Sequence, residues 1–170
     1  MRSKPDVGQP RQPEDAASTH SVSIRPMRPG DVSEVVYIEN RAFQVPWSER
    51  TFNSLLRQPH AALFVAESGG RIAGYAATWF VADEAELGDL AVHPDFRRRG
   101  IGSRLLDRTL EEAGSRAIRV LYLEVRAGNE GARRLYERSG FEVVTVRRAY
   151  YRRPVEDAVV MRRMIGKQSR

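Results

Sequence analysis

Three strand-like runs follow one another without a helix, and a helix then leads the chain into a fourth. This order limits the possible folds more than any other feature of the sequence. Ala61 to Glu67 is apolar and strand-like, Ser68-Gly69-Gly70 is a tight-turn signal, Arg71 to Val81 resumes as a second strand, and Glu84 to Val92 reads as a third. Ile101, Leu105, Leu106, Leu110 and Ala113 then recur at helical spacing. Val120 to Val125 is a short, nearly continuous apolar run, the pattern of a strand covered on both faces. A meander followed by a β-α-β crossover implies an α/β fold with a mixed sheet and helices on both of its faces.

The flanks extend that order. His20 to Arg25 alternates polar and apolar residues as a strand does, and Asp31 can cap a helix carrying Val32, Val35, Val36 and Phe43. Pro46 breaks the chain before Ser48 and Glu49 open a second short helix through Phe52 and Leu55. A helix from Asn129 to Arg138 ends at Gly140, where a left-handed cap belongs, and Phe141–Val146 and Ala158–Met164 read as two more strands. The expected domain therefore spans residues 20–166. Residues 1–19 hold three prolines and almost no large apolar side chain, so a disordered tail is expected there, with a short second tail at 167–170.

A chain of 170 residues with 41% hydrophobic content fits one domain with a proper core. The absence of cysteine excludes disulfides, thiolate metal sites and a cysteine nucleophile, and nothing else suggests a metal. No apolar run of about 18 residues implies a membrane span, and the N-terminus lacks the apolar stretch of a secretory signal. A cytoplasmic location is the default expectation. The net charge of +6 fits a nucleic acid, an anionic cofactor, an acidic protein surface or simply an arginine-rich background. The charge is patterned, however. Arg97, Arg98 and Arg99 form one cluster and Arg147, Arg148, Arg152 and Arg153 another, while Asp83, Glu84, Glu86 and Asp89 make an acidic stretch.

The informative junction is Arg97-Arg98-Arg99-Gly100-Ile101-Gly102-Ser103, between the third meander strand and its helix. Glycines there let phosphates approach the main-chain N–H groups of the first helical turn, and the helix dipole and arginines favour negative charge. A Walker A loop needs Gly-Lys-Ser/Thr, which is absent, and a dinucleotide fingerprint needs a third glycine where Leu105 stands. On this evidence a phosphate site and a structural turn both remain open. Glu124 is a second anomaly, a carboxylate inside the apolar run Tyr122-Leu123-Glu124-Val125. A buried charge needs a partner or a task, so Glu124 is either an ion-pair member or a functional group.

Arg-x-x-Gly-x-Gly after Leu90-Ala91-Val92-His93-Pro94 resembles the pyrophosphate loop of the GNAT acetyltransferase superfamily. Further motifs are similar to its RimI branch: Leu123-Glu124-Val125-Arg126-Ala127-Gly128-Asn129, Leu135-Tyr136-Glu137 with Gly140-Phe141, Asp83-Glu84-Ala85, Pro46-Trp47-Ser48 and Arg148-Ala149-Tyr150-Tyr151. The resemblance covers roughly residues 24–165. It implies a GNAT-type sheet and acetyl-CoA as cosubstrate. Main-chain groups of Leu90, Ala91 and Val92 would hold the pantetheine arm, with the Val92 N–H toward the thioester oxygen. Arg97, Arg98, Arg99, Gly100, Ile101, Gly102 and Ser103 would hold the pyrophosphate. Asn129 would bond the arm or serve only as a helix cap.

The resemblance further implies Glu124 as general base, directly or through water, and Tyr136 as general acid to the leaving thiolate. Asn129 and Tyr136, seven residues apart, share a helix face. On the substrate side it implies Gln44, Val45, Pro46 and Trp47 opposite Tyr150 and Tyr151, with Glu84 and Glu86 receiving a basic peptide. The implied substrate is a protein N-terminus, specifically the N-terminal alanine of a small-subunit ribosomal protein, without direct nucleic-acid binding. A magnitude favours that choice: an α-amine of pKa about 7.7–8.0 is roughly a tenth neutral at pH 7, and a lysine of about 10.4 below a thousandth. The alternatives are a GNAT enzyme acting on lysine or a small amine and, in another class, a basic nucleic-acid or ribosome-binding module. Gly128 stands where relatives often carry serine.

Overall fold

The computed structural model describes residues 21–166. The expected first strand is found at β1 (Val22–Pro26), and His20 and the expected tails lie outside the described residues. Two helices follow, α1 (Val32–Ala42) and α2 (Glu49–Leu56), then the meander β2 (Ala61–Ser68), β3 (Arg71–Val81) and β4 (Glu84–Val92). The crossover helix α3 (Ile101–Ser115) leads to β5 (Val120–Arg126), and α4 (Glu130–Arg138) leads to the hairpin β6 (Glu142–Arg152) and β7 (Val155–Met164). The strands form one mixed sheet in the order β1-β2-β3-β4-β5-β7-β6, with β4–β5 parallel and the other neighbours antiparallel. This is the mixed α/β sheet that the sequence order implies. No described helix is long and apolar enough to cross a membrane.

Strand alternation sorts the meander into two cores. Phe64, Ala66, Ala73 and Ala76 pack beneath α3 with Ile101, Leu105 and Leu106, whereas Leu63, Val65, Ile72 and Tyr75 pack against Val35 and Ile38 of α1 and Phe52 of α2. Burying β2 and β3 on both sides explains their almost unbroken apolar sequences. The α1–α2 layer does not extend over β5. Its residues Tyr122, Glu124 and Arg126 are only half-buried, so β5 is covered on one face rather than the two expected from its sequence.

Two irregularities shape the middle of the sheet. Thr78 pairs with Leu87 and Ala77 with Asp89, so Gly88 bulges out of the β3–β4 ladder. The bulge reverses the alternation of β4. Ala85 and Leu87 point into the α3 core, but beyond the bulge Leu90 and Val92 take that face and Ala91 turns to the α1 core. In addition, β4 pairs with β5 only from Glu84 to Leu87, opposite Val120 to Leu123, after which the two strands separate.

Four local expectations change. Asp31 makes no side-chain cap on α1, because its carboxylate receives Arg25 at 2.8 and 2.9 Å and the Arg28 N–H at 2.7 Å in the preceding turn. The buried face of α1 includes Ile38 and Glu39, while Phe43 lies past the helix end. β6 continues to Arg152 rather than stopping at Val146, through a bulge at Ala149 (φ +48°) whose N–H donates to Asp157 at 2.8 Å. β7 begins at Val155 rather than Ala158.

Leu105 is wholly buried in the core that α3 forms with the meander. Leu105→Ala should lower the unfolding free energy by about 2–5 kcal/mol in urea melts, through lost transfer energy and the cavity left behind.

Candidate active site

The junction between β4 and α3 is built around Phe96. This side chain is buried beside the crossover, with the guanidinium groups of Arg71 and Arg99 at 5.0 and 5.2 Å from its ring centre. Arg98 and Gly100 both take left-handed backbone angles, φ +62° and +71°. Gly100 is the N-cap of α3 and offers no side chain to its first turn. The N–H groups of that turn therefore face an exposed loop bearing Arg97, Arg98 and Arg99. A Cβ on Gly102 would meet Leu135 at 3.4 Å, Leu90 at 3.7 Å and Val92 at 3.8 Å, so this residue lies against the side chains below the opened part of β4.

Where β4 leaves β5, the sheet holds a cleft of about 370 Å³. The His93 N–H bonds to Ala73 O of β3 at 2.8 Å. Alternation then points the Leu90 and Val92 N–H groups away from β3, into the gap. Glu124 and Arg126 enter from β5, Asn129 and Tyr136 from α4, Tyr150 and Tyr151 from β6, and Gln44, Val45 and Trp47 from the loop after α1. Residues from both sheet faces line this one cleft, so it passes between the strands. A neighbouring cavity of about 500 Å³ shares Trp79, Glu86, Glu124 and Tyr150 with it and adds Glu84 and Arg147.

Glu124 is an ion-pair member: its Oε1 lies 3.1 Å from Arg147. It also accepts from the Tyr150 hydroxyl, and this bond holds that phenol above its usual pKa. Tyr136 lies almost fully buried with its ring 5.7 Å from Phe141, and burial pushes its phenol far above the ordinary range. Burial likewise raises Tyr151 to about 12. The Asn129 side chain accepts from the Ala132 N–H at 3.2 Å, so Asn129 caps α4. That role leaves its amide N–H donors available to the cleft it lines.

The expected site residues are thus largely brought together. Pro46 is exposed and Glu84 lines only the adjoining cavity. Sequence reading missed an acid pair at the cleft wall. Asp89, next to the Gly88 bulge, lines the cleft and hydrogen-bonds to Glu39 of α1. Glu39 is fully buried and accepts from the Trp47 N–H at 2.8 Å and from the Tyr75 hydroxyl. Burial raises both carboxyls, Asp89 to about 8, with the mutual repulsion adding to the Asp89 shift. A charged residue on the apolar stripe of α1 was the signal for Glu39; the bulge hid Asp89.

Comparison with known proteins adds to this geometry. The model of the acetyltransferase (GNAT) family matches residues 32–141. The [ribosomal protein bS18]-alanine N-acetyltransferase of Escherichia coli K12 is 40% identical over 143 residues, covering 82% of this chain and 95% of that one. The N-alpha-acetyltransferase RimI of Mycobacterium tuberculosis is 37% identical over 159 residues, covering 90% and 99%. The crystal structure of the ribosomal-protein-S18-alanine N-acetyltransferase from Escherichia coli superimposes with a TM-score of 0.80 at 38% identity, covering 88% and 97% of the two chains.

If the α3 turn and the space beside Gly102 receive the cosubstrate implied by the sequence resemblance, acetyl-CoA should raise the melting temperature by mass action. Gly102→Ala adds only ordinary contacts and should keep that rise. Gly102→Trp should fill the gap and abolish it, leaving the unliganded melting temperature nearly unchanged.

Proposed function

The chain belongs to the GNAT acetyltransferase family and is an N-acetyltransferase, and on that premise we propose that it acetylates the N-terminal α-amine of a protein, with the N-terminal alanine of a small-subunit ribosomal protein as the preferred target. One observation carries the reading: Glu124 on β5 and Tyr136 on α4 line a single cleft opened between β4 and β5. The names of the relatives in Escherichia coli and Mycobacterium tuberculosis support the choice of an α-amine. GNAT enzymes use acetyl-CoA. The opened edge of β4 suits the pantetheine arm, and the uncapped start of α3 with its arginines suits the pyrophosphate.

In this scheme the amine nitrogen bonds to the acetyl carbon, the carbon–sulfur bond breaks, and sulfur leaves with the electron pair. The Val92 N–H polarises the carbonyl. Glu124 takes the proton that the amine sheds, directly or through water. Its bond to Arg147 orients the carboxylate without blocking it, since the side chain keeps about a fifth of its surface exposed. Tyr136 donates its proton to the departing sulfur. Burial favours the neutral phenol, so this acid stays protonated throughout the working pH range. Trp47 and Tyr150 flank the peptide entrance, and Glu84 and Glu86 in the adjoining cavity suit a basic second residue.

Tyr136→Phe keeps the ring packing and should lower kcat by about 10²–10⁴ with little change in stability. Glu124→Gln should retain acetyl-CoA binding and slow turnover, most at low pH, where less of the amine is neutral. As a half-exposed pair with Arg147, its loss should change stability by under about 1 kcal/mol. The substrate class is read by offering an Ala-Arg peptide, the same peptide with a blocked N-terminus, and free lysine. Acetylation of the free α-amine alone supports the proposal, and faster reaction at lysine or polyamines refutes it.

A further inference from the structure

Among the described residues, this mechanism leaves unused an acid pair in which a fully buried Glu39 meets a half-buried Asp89. Its bonds join four parts of the fold. Glu39 projects from α1, takes the Trp47 N–H from the loop ahead of α2, and takes the Tyr75 hydroxyl from β3. Asp89 completes the cluster from β4, at the point where that strand has just bulged and parted from β5. The Trp47 ring lies over the bulge. A Cβ on Gly88 would run into Trp79 and come within 2.9 Å of Trp47, so the backbone there is bare to seat both rings. The ring centres of Trp47 and Trp79 are 6.0 Å apart, and both line the cleft.

Two carboxyl groups in hydrogen-bond contact need one proton between them, because both ionised would repel across a buried gap. Glu39 already accepts two N–H or O–H donors, as an ionised carboxylate does, so the proton sits on Asp89 and is donated to Glu39.

We propose that Glu39 and Asp89 form a one-proton clasp that holds the Trp47 loop against β4, making Asp89 a positioning residue for the incoming peptide. The clasp rests on the reading of this cleft as a peptide site only for its effect on KM; its hold on Trp47 is independent of substrate. Burial and Glu39 on α1 hold the proton on Asp89, and the other titratable groups facing the pair are Tyr75 on β3, Glu124 on β5, Tyr136 on α4 and Tyr150 and Tyr151 on β6. Arg126 and Arg147 are the cations nearby, and both have acid partners, Glu156 and Glu124.

The sign follows from burial. Asp89 titrates higher in the fold than its usual value, so the protonated clasp holds at neutral pH and is lost as pH rises through about 8. Asp89→Asn keeps a donor toward Glu39 without a titratable proton, whereas Asp89→Ala removes the bond altogether.

The test uses fluorescence first. The chain has two tryptophans, so Trp79→Phe leaves Trp47 as the sole reporter. In that background, Trp47 emission should shift to the red across a transition near pH 8. Adding Asp89→Asn should remove the transition and keep the low-pH spectrum; adding Asp89→Ala should give the red-shifted spectrum at every pH. If Asp89→Asn does not fold, Glu39→Gln should move the midpoint to lower pH, because a repelling charge is gone. No transition near pH 8, one that survives Asp89→Asn, or a midpoint unmoved by Glu39→Gln overturns the clasp.

Activity is the second arm. Between pH 7 and 9 the clasped fraction falls about tenfold for a group titrating near 8, so peptide KM should rise about tenfold relative to Asp89→Asn. Ionisation of the peptide amine is common to both proteins and cancels in that ratio. The KM for acetyl-CoA should not change. A fluorescence transition without peptide acetylation would sustain the clasp and refute the substrate reading, whereas peptide acetylation with no transition would do the reverse.

Discussion

The limited pairing of β4 with β5 is the constraint on which the site depends. A parallel pair hydrogen-bonded along its whole length would leave no room for a substrate arm and no free main-chain groups. Here four rungs, Glu84–Leu87 against Val120–Leu123, fix the two strands, and beyond them the backbone of β4 is released. The strand is not left unsupported, because β3 pairs with it through Val92 and α3 packs beneath it. One edge of a central strand is thus exposed without exposing the core. The Gly88 bulge lies just past the last shared rung and sets which side chains face each side of the opening.

That placement gives the cleft an electrostatic direction. At the α3 end, three exposed arginines surround a helix start with no capping side chain. At the opposite end, Glu84, Glu86 and Glu124 line the cleft and the adjoining cavity, with Arg126 and Arg147 engaged in ion pairs. Charge of opposite sign therefore lines different ends of one passage, the arrangement that the proposed anionic cosubstrate and cationic N-terminus call for. The +6 net charge of the chain describes neither end. This is why overall charge left a nucleic-acid module open as a reading, while the distribution of charge favours two small, opposite sites.

The fold was legible in the sequence wherever one residue pattern served one face. The apolar run Ala61 to Glu67 marks β2 as a strand, and the spacing of Ile101, Leu105 and Leu106 marks α3. Legibility failed where tertiary context changed the rule. The run around Glu124 reads as a strand covered on both faces, yet the α1–α2 layer ends before β5 and leaves Glu124 at a cleft wall. β6 continues through Arg147–Arg152 because Asp157 supports a bulge, a long-range contact that composition does not reveal. Regular alternation would have put Asp89 beside Leu87 in the α3 core, and the unpaired Gly88 turns it to Glu39 instead. Tyr136 and Asn129 were singled out by resemblance, and of the two roles the sequence offered for Asn129 the α4 cap is the one its side chain fills, by accepting from the Ala132 N–H.

The two faces of the sheet also separate the proton movements of the proposed reaction. Glu124 accepts from β5 on the face that the α1–α2 layer leaves open, while Tyr136 belongs to the core on the α3 side. The base and the acid are not each other's partners. In this fold Glu124 is bonded to Arg147 and Tyr150 instead, and Tyr136 packs on Phe141. Burial favours a neutral Tyr136, so this acid keeps its proton until the sulfur leaves, while the Glu124 carboxylate has Arg147 as its ion-pair partner. The amine can then lose its proton on one side of the sheet and sulfur gain one on the other. The opening between β4 and β5 is the place where the two sides meet.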